Sequence, residues 1–243
     1  MSASASTADL PAANVTKHNR RKDYRAHNQL RELSAEVGLL NRADGSASMS
    51  YDKTAVMVGV YGPREVPPRK EVQGKCVIEA TLRPRSGLPT NRDKEIERVL
   101  EGILEQVVMT ALHPRSIISV IVQVLDDDGS LLAASVNATI LALMDAGVPL
   151  RTVAAASSCC VAADGNTLYI DPTLEEENSA ASTHTVVLDG IQGSVLAVRS
   201  LGCDFSAEHF VSCMDVSAQA CDKLREFMRI VMERKSNAAS QRS

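Results

Sequence analysis

One run of fifteen residues, LLAASVNATILALMD at 131–145, is apolar on nearly every side of a helical wheel and carries no charge before its last residue. A helix that is hydrophobic all round has to be enclosed. The chain must therefore bring apolar surfaces against it from more than one side, and Gly147 and Pro149 stop the run before it can extend. Strand-like segments supply such surfaces. Residues 54–60 are rich in Val and Met, 74–82 alternate, 116–125 are β-branched, and 152–161, 167–170, 183–188 and 194–199 follow in the same style. The first two read as an antiparallel meander joined by the turn residues YGPRE and VPPRK. Residues 92–112 place Ile96, Val99, Leu100, Ile103, Leu104, Val107, Val108 and Leu112 at three/four spacing, with Thr90 or Asn91 able to cap the segment and His113-Pro114 to end it. A last helix, 208–235, carries the seam Phe210, Met214, Ser217, Cys221, Leu224, Met228 and Val231. Runs of strands followed by helices predict an α+β layered fold rather than a doubly wound one.

With 243 residues the chain can bury a substantial core, and aromatic content of 3% with no tryptophan makes that core aliphatic. Binding of nucleic acid on rows of stacked rings is poorly supplied. A net charge of −4 confines any nucleic-acid surface to a local patch. No segment has the length of a membrane span, and the start lacks the apolar core of a secretory signal, so an intracellular protein is expected. Six cysteines without a Cys-x-x-Cys pair fit neither a disulfide framework nor a zinc knuckle; most are expected reduced and packed as small apolar residues. The acceptor triplets at Asn14 and Asn137 carry no weight, the second lying in the apolar helix. Residues 1–28, Ser/Ala-rich and then basic (Lys17, Arg20, Arg21, Lys22, Arg25), are expected as a mobile arm, either an import or RNA-contacting tail or a solvated one. Residues 29–235 are expected as a single domain, and 236–243 as a frayed tail.

Few residues bear chemistry. The loop DPTLEEENSAAS brings Asp171 close to Glu175, Glu176 and Glu177, and such a run is as readily a solvated acidic loop as a site. Acids and bases alternate over 92–98, so surface pairs within the helix explain Lys94 and Arg98. His209 and Cys213 lie four apart but lack a second ligand pair. His184 reads as a structural strand histidine, and Asp126-Asp127-Asp128-Gly129 as a turn.

Four blocks then line up in order and spacing. Asn41-Arg-Ala-Asp-Gly-Ser-Ala-Ser with Gly59-Val-Tyr-Gly-Pro63, Leu82-Arg-Pro-Arg-Ser86, the stretch from Asp128 to Ala138 with Leu143 to Pro149, and Asp171 to Glu177 resemble RNase PH over residues 38–234. Within that family the chain is most similar to ring subunits of the eukaryotic RNA exosome. The resemblance implies a fold like the second domain of ribosomal protein S5, and dimers that build a six-membered ring around an RNA channel. It also implies a place in nucleus, nucleolus and cytoplasm, ring subunits and RNA (or DNA) as partners, and a homodimer when partners are missing. Active members of the family are phosphorolytic exonucleases, in which inorganic phosphate attacks the terminal phosphodiester. They need a phosphate cradle, a carboxylate cluster that supplies a proton or holds Mg²⁺ or Mn²⁺, and arginines that grip the RNA end. Asp171 and Glu177 match the acidic positions, Glu177 where relatives carry Asp. Arg85 matches a family arginine near the RNA, with Arg83, Arg92 and Lys75 extending a basic patch. The cradle departs from the family: a Gly-Thr-Arg-Thr stretch is replaced by Ser130-Leu131-Leu132-Ala133, leaving Ser130, Ser135 and backbone amides as the only groups able to hold phosphate. The expectation is a ring subunit with catalysis weakened or lost, against an alternative in which Asp171 and Glu177 bind a metal and the chain hydrolyses RNA or DNA itself.

Overall fold

The structure, a computed structural model, describes residues 3–4, 21, 23–165, 167–202 and 205–240. In chain order these form β1 (Ala3–Ser4), β2 (Leu33–Val37), β3 (Gly45–Tyr51), β4 (Thr54–Glu65), β5 (Val77–Arg83) and α1 (Asn91–Val107). After a 3₁₀ turn (Thr110–Leu112) come β6 (Ser116–Asp126), α2 (Leu131–Asp145), β7 (Ala155–Val161), β8 (Leu168–Ile170), α3 (Leu174–Ser179), β9 (Ser182–Leu188), β10 (Val195–Gly202) and α4 (Ala207–Ser240). One sheet has the order β1-β2-β3-β4-β6-β5 and the other β10-β9-β7-β8.

The all-apolar run is the helix the sequence requires, and it lies between the two sheets, buried at every position from Leu131 to Leu143. Its one amide side chain shows how tightly it is held. Asn137 donates to Ala156 O (2.8 Å) and Tyr51 Oη (2.7 Å) and accepts from Ala156 N (2.8 Å), so a side chain takes the place of a neighbouring strand. At the far end, a Cβ on Gly45 would lie 2.3 Å from Ala146 N, so β3 can approach the end of α2 only as glycine. Strand β7 is buried at all seven positions because α2 covers one face and α4 the other. The five described cysteines are free and buried, as small apolar residues would be.

Several expectations change. The supposed meander is not one: β6 lies between β4 and β5, antiparallel to the first and parallel to the second. Parallel neighbours need a long crossover, and α1 is that crossover. Strands β2 and β3 were not expected, because the text LSAEV and GSASMSY lacks a β-branched run, although Ala47, Met49 and Tyr51 alternate inward. Helix α1 stops at Val107, Val108 being extended. The acidic loop contains a helix, α3, and α4 continues to Ser240, into the tail expected to fray; residues 241–243 lie outside the described ones.

The surface pairs expected within α1 are also absent. Asp93 completes a capping box with Thr90, and Glu95 binds Arg199. Glu97 and Glu101 accept from the backbone N–H of Leu82 (2.8 Å) and Ala80 (3.1 Å) on edge strand β5. Among the described residues Arg92, Lys94 and Arg98 have no ion pair.

Candidate functional site

The site is built where β6 turns into α2. Gly129, at φ +87°, lies so close to the start of α3 that an added Cβ would come within 2.7 Å of Leu174 N, Pro172 O and Thr173 C. Only glycine permits that approach. The next residue, Ser130, is left-handed as well (φ 57°) and serves as the N-cap residue of α2 without a side-chain cap. Asp171, which follows β8, is the other left-handed non-glycine of this region (φ 50°).

Arg31 ties these pieces together. Its Nε and Nη2 donate to Asp171 Oδ2 (3.0 Å) and Oδ1 (2.6 Å), and Nη2 also donates to Gly129 O (3.2 Å). Nη1 donates to Thr54 Oγ1 (3.1 Å) and Asp128 O (2.9 Å), so all five guanidinium N–H groups are used. The Arg31 backbone N–H adds a third bond to Asp171 (3.0 Å). Asp171 is only 3% exposed. Burial pushes its carboxyl up, but the hydrogen bonds and charge of Arg31, with Arg25 nearby, outweigh burial and hold it below its ordinary value. The expectation of Asp171 as an open catalytic or metal-binding carboxylate is corrected: both oxygens belong to a buried latch. A divalent cation bridging Asp171 and Glu177 would have to displace Arg31, so these residues do not fit the metal. No cluster of three His, Cys, Asp or Glu side chains suited to a metal occurs among the described residues.

Glu177 points elsewhere, to the amino end of α2. Helix α3 is capped by Thr173, which exchanges bonds with Glu176, the T-x-x-E box legible in the text TLEE. That places Glu177 so that its Oε1 accepts from Ser130 N–H at 2.7 Å. It lies in a small cleft with Arg92, Ile96, Leu131, Leu132, Thr183 and Arg199 among its walls. Burial raises the Glu177 carboxyl above its ordinary value, against the pull of the Ser130 N–H and the Arg92 charge. Ser130 Oγ donates to Pro172 O (3.2 Å), away from the cleft, and Ser135 is fully buried along α2. Ser135 therefore offers phosphate nothing, and Ser130 only an amide that is in use.

The predicted basic patch divides. Arg83, Arg85 and Arg92 are exposed around the carboxyl end of β5 and the start of α1, Arg85 pairing with Asp126 (3.0 Å). Lys75 is exposed at the opposite end, next to Cys76, whose N–H reaches Thr110 O. The six strand residues 77–82, roughly 20 Å at about 3.3 Å each, lie between it and Arg83. Sequence reasoning missed Arg31, Thr183 and Arg199. Arg199 projects from β10 and pairs with Glu95 through two bonds (2.9 and 3.1 Å), a contact between elements 104 residues apart that no local pattern announces.

Most of the arm expected over residues 1–28 lies outside the described residues, but its end is not free. Arg25 donates twice to Asp171 O (3.2 Å each), Ile170 N–H donates to His27 O (2.9 Å), and Arg21 Nε lies 3.0 Å from Glu176 Oε1 with its guanidinium over the Tyr169 ring.

This geometry sits in a chain with well-defined relatives. Residues 29–149 match domain 1, and residues 152–220 domain 2, of the 3′ exoribonuclease family, RNase PH. One hydrophobic cluster runs through both segments. The chain is 39% identical over 167 residues to the exosome complex exonuclease RRP46 homolog of Arabidopsis thaliana, covering 68% of this chain and 70% of that one. It is 29% identical to the exosome complex component RRP46 of Saccharomyces cerevisiae, over 83% and 95% of the two chains. Among solved structures, rice (Oryza sativa) Rrp46 superposes with a TM-score of 0.81 at 34% identity, over 86% of this chain and 98% of that one. A chain of the Archaeoglobus fulgidus exosome with RNA bound to the active site superposes with a TM-score of 0.74 at 27% identity, over 86% and 92%. No described helix is long and apolar enough to cross a membrane.

Proposed function

Because the chain belongs to the 3′ exoribonuclease (RNase PH) family, we propose that it serves as an RRP46-type ring subunit of an RNA exosome, shaping the ring and the RNA path while other subunits supply the chemistry. The observation that carries this reading is the cleft at the amino end of α2. The side chains of Leu131 and Leu132 offer no donor to phosphate, Ser130 N–H is taken by Glu177, and Arg199 is neutralised by Glu95. Loss of even one charge-assisted hydrogen bond weakens anion binding by about 1.5–3 kcal/mol. Phosphorolysis with inorganic phosphate is thus poorly supported. Hydrolysis of RNA or DNA through Mg²⁺ or Mn²⁺ is not supported either, since Asp171 is held by Arg31.

The scaffold, by contrast, is whole: both family domains are matched and the fold follows a solved relative closely. Its partners in this reading are other ring subunits and RNA, with a homodimer as the fallback when those subunits are missing, in nucleus and cytoplasm. The test combines assembly with a product assay. The chain co-expressed with the other ring subunits should co-purify with them, and alone it should release no nucleotides from RNA with phosphate, Mg²⁺ or Mn²⁺. Phosphate-dependent release of nucleoside diphosphates by the chain alone would overturn the noncatalytic part.

A further inference from the structure

We propose that Glu177 is an internal anion seated where an oxyanion would sit at the amino end of α2, so that the folded chain closes its own cleft to inorganic phosphate. The inference rests on the reading of the chain as a noncatalytic family member and supplies a physical reason for it.

The amino end of a helix attracts negative charge, because its first N–H groups have no partner within the helix and the helix dipole is positive there. Helix α2 carries no acid in its own first turn. The carboxylate is brought by another element, and its oxygen sits 2.7 Å from Ser130 N–H, a charge-assisted distance. An anion from solution would have to displace it to reach the Ser130 N–H. Even then it would meet Leu131 and Leu132 as walls and a serine hydroxyl already turned to Pro172.

The backbone that carries Glu177 is also held in place. It follows Glu176 on a six-residue helix, and Glu176 is pinned by its own cap, Thr173, and by Arg21. On the other side the Gly129 turn packs so close to residues 172–174 that an added Cβ would lie 2.7 Å from them, and Leu174 N–H donates to Asp128 O. A solvated acidic loop would show none of these ties. The cleft's other charges point the same way: Arg199 is bound to Glu95 in a fork, which leaves Arg92 as the cation that a displaced Glu177 would expose to a ligand.

The test titrates inorganic phosphate into the full-length chain and into Glu177→Ala and Glu177→Gln, each first shown to melt cooperatively. The chain with Glu177 should show no saturable binding. Glu177→Ala should bind phosphate with a Kd on the order of 1 mM, and Glu177→Gln, whose amide oxygen still accepts from Ser130 N–H, should gain less. Equal binding with and without Glu177, or no gain in Glu177→Ala, overturns the proposal. Should Glu177→Ala fail to fold, the Ser130 amide resonance of the unaltered chain decides: it should not move as phosphate is added, and a saturable shift overturns the proposal. Co-purification with ring subunits is a separate readout, so failure here leaves the assembly reading standing, and failure there leaves the phosphate result intact.

Discussion

Asp171 and Glu177, six positions apart in one acidic loop, have opposite surroundings and opposite titration behaviour. The Asp171 carboxyl is held down by Arg31 against its burial, and that of Glu177 is pushed up by burial. A carboxyl with a lowered folded pKa contributes stability above its unfolded pKa and loses it as pH falls through the folded value. Asp171→Asn should therefore cost about 3–5 kcal/mol near pH 7, because it leaves the Arg31 guanidinium buried without its charge partner. The deficit, followed by denaturant melts, should shrink as pH falls below the ordinary carboxylate range. A catalytic role alone would leave the melting curve unchanged. The family resemblance marked both acids, but text cannot distinguish a carboxylate that faces a cleft from one that faces a latch. The difference lies in Arg31, 140 residues away in sequence and outside any recognisable motif.

At the scale of elements, the most legible parts were those whose pattern is set by burial on all sides or on one stripe: α2, α4 and the β-branched β6. The least legible was the position of β5, since its neighbour is decided by a crossover and not by its own residues. An edge strand exposes unpaired N–H groups, and here two glutamates of the helix that covers it satisfy two of them. The alternation of acids and bases on α1 looked like solvated pairing because the acids' partners lie on another strand. Replacing Glu97 and Glu101 together by Ala should remove two hydrogen bonds, at about 0.5–1.5 kcal/mol each, and expose the edge. Chemical denaturation should show the loss, and light scattering should show faster self-association than in the parent chain. If stability and solubility both hold, the two carboxylates are only surface charges.

Across the whole molecule, the net negative charge means that RNA must be met by local groups, and the basic residues expected to do so lie towards the two ends of β5. Arg83 and Arg85 lie beside the α1 amino end, where Arg92 lines the cleft; Lys75 lies at the other end, near the 3₁₀ turn. The exposed Arg85–Asp126 pair is worth only about 0–1 kcal/mol, so it is no obstacle to a phosphate contact. RNA running along the length of the strand would touch both ends, at sites too far apart to share a partner. The effects of Arg85→Glu and Lys75→Glu on RNA affinity should then add to within about 0.5 kcal/mol, as expected for sites more than roughly 10 Å apart. Each substitution should also lower the slope of log affinity against log salt by about 0.7 for every single-strand phosphate it leaves without a cation. Binding by fluorescence anisotropy across a salt series measures both quantities. A loss confined to Arg85→Glu, with Lys75→Glu neutral, would mean that the strand passes only the α1 end and that the loop before β5 faces something else.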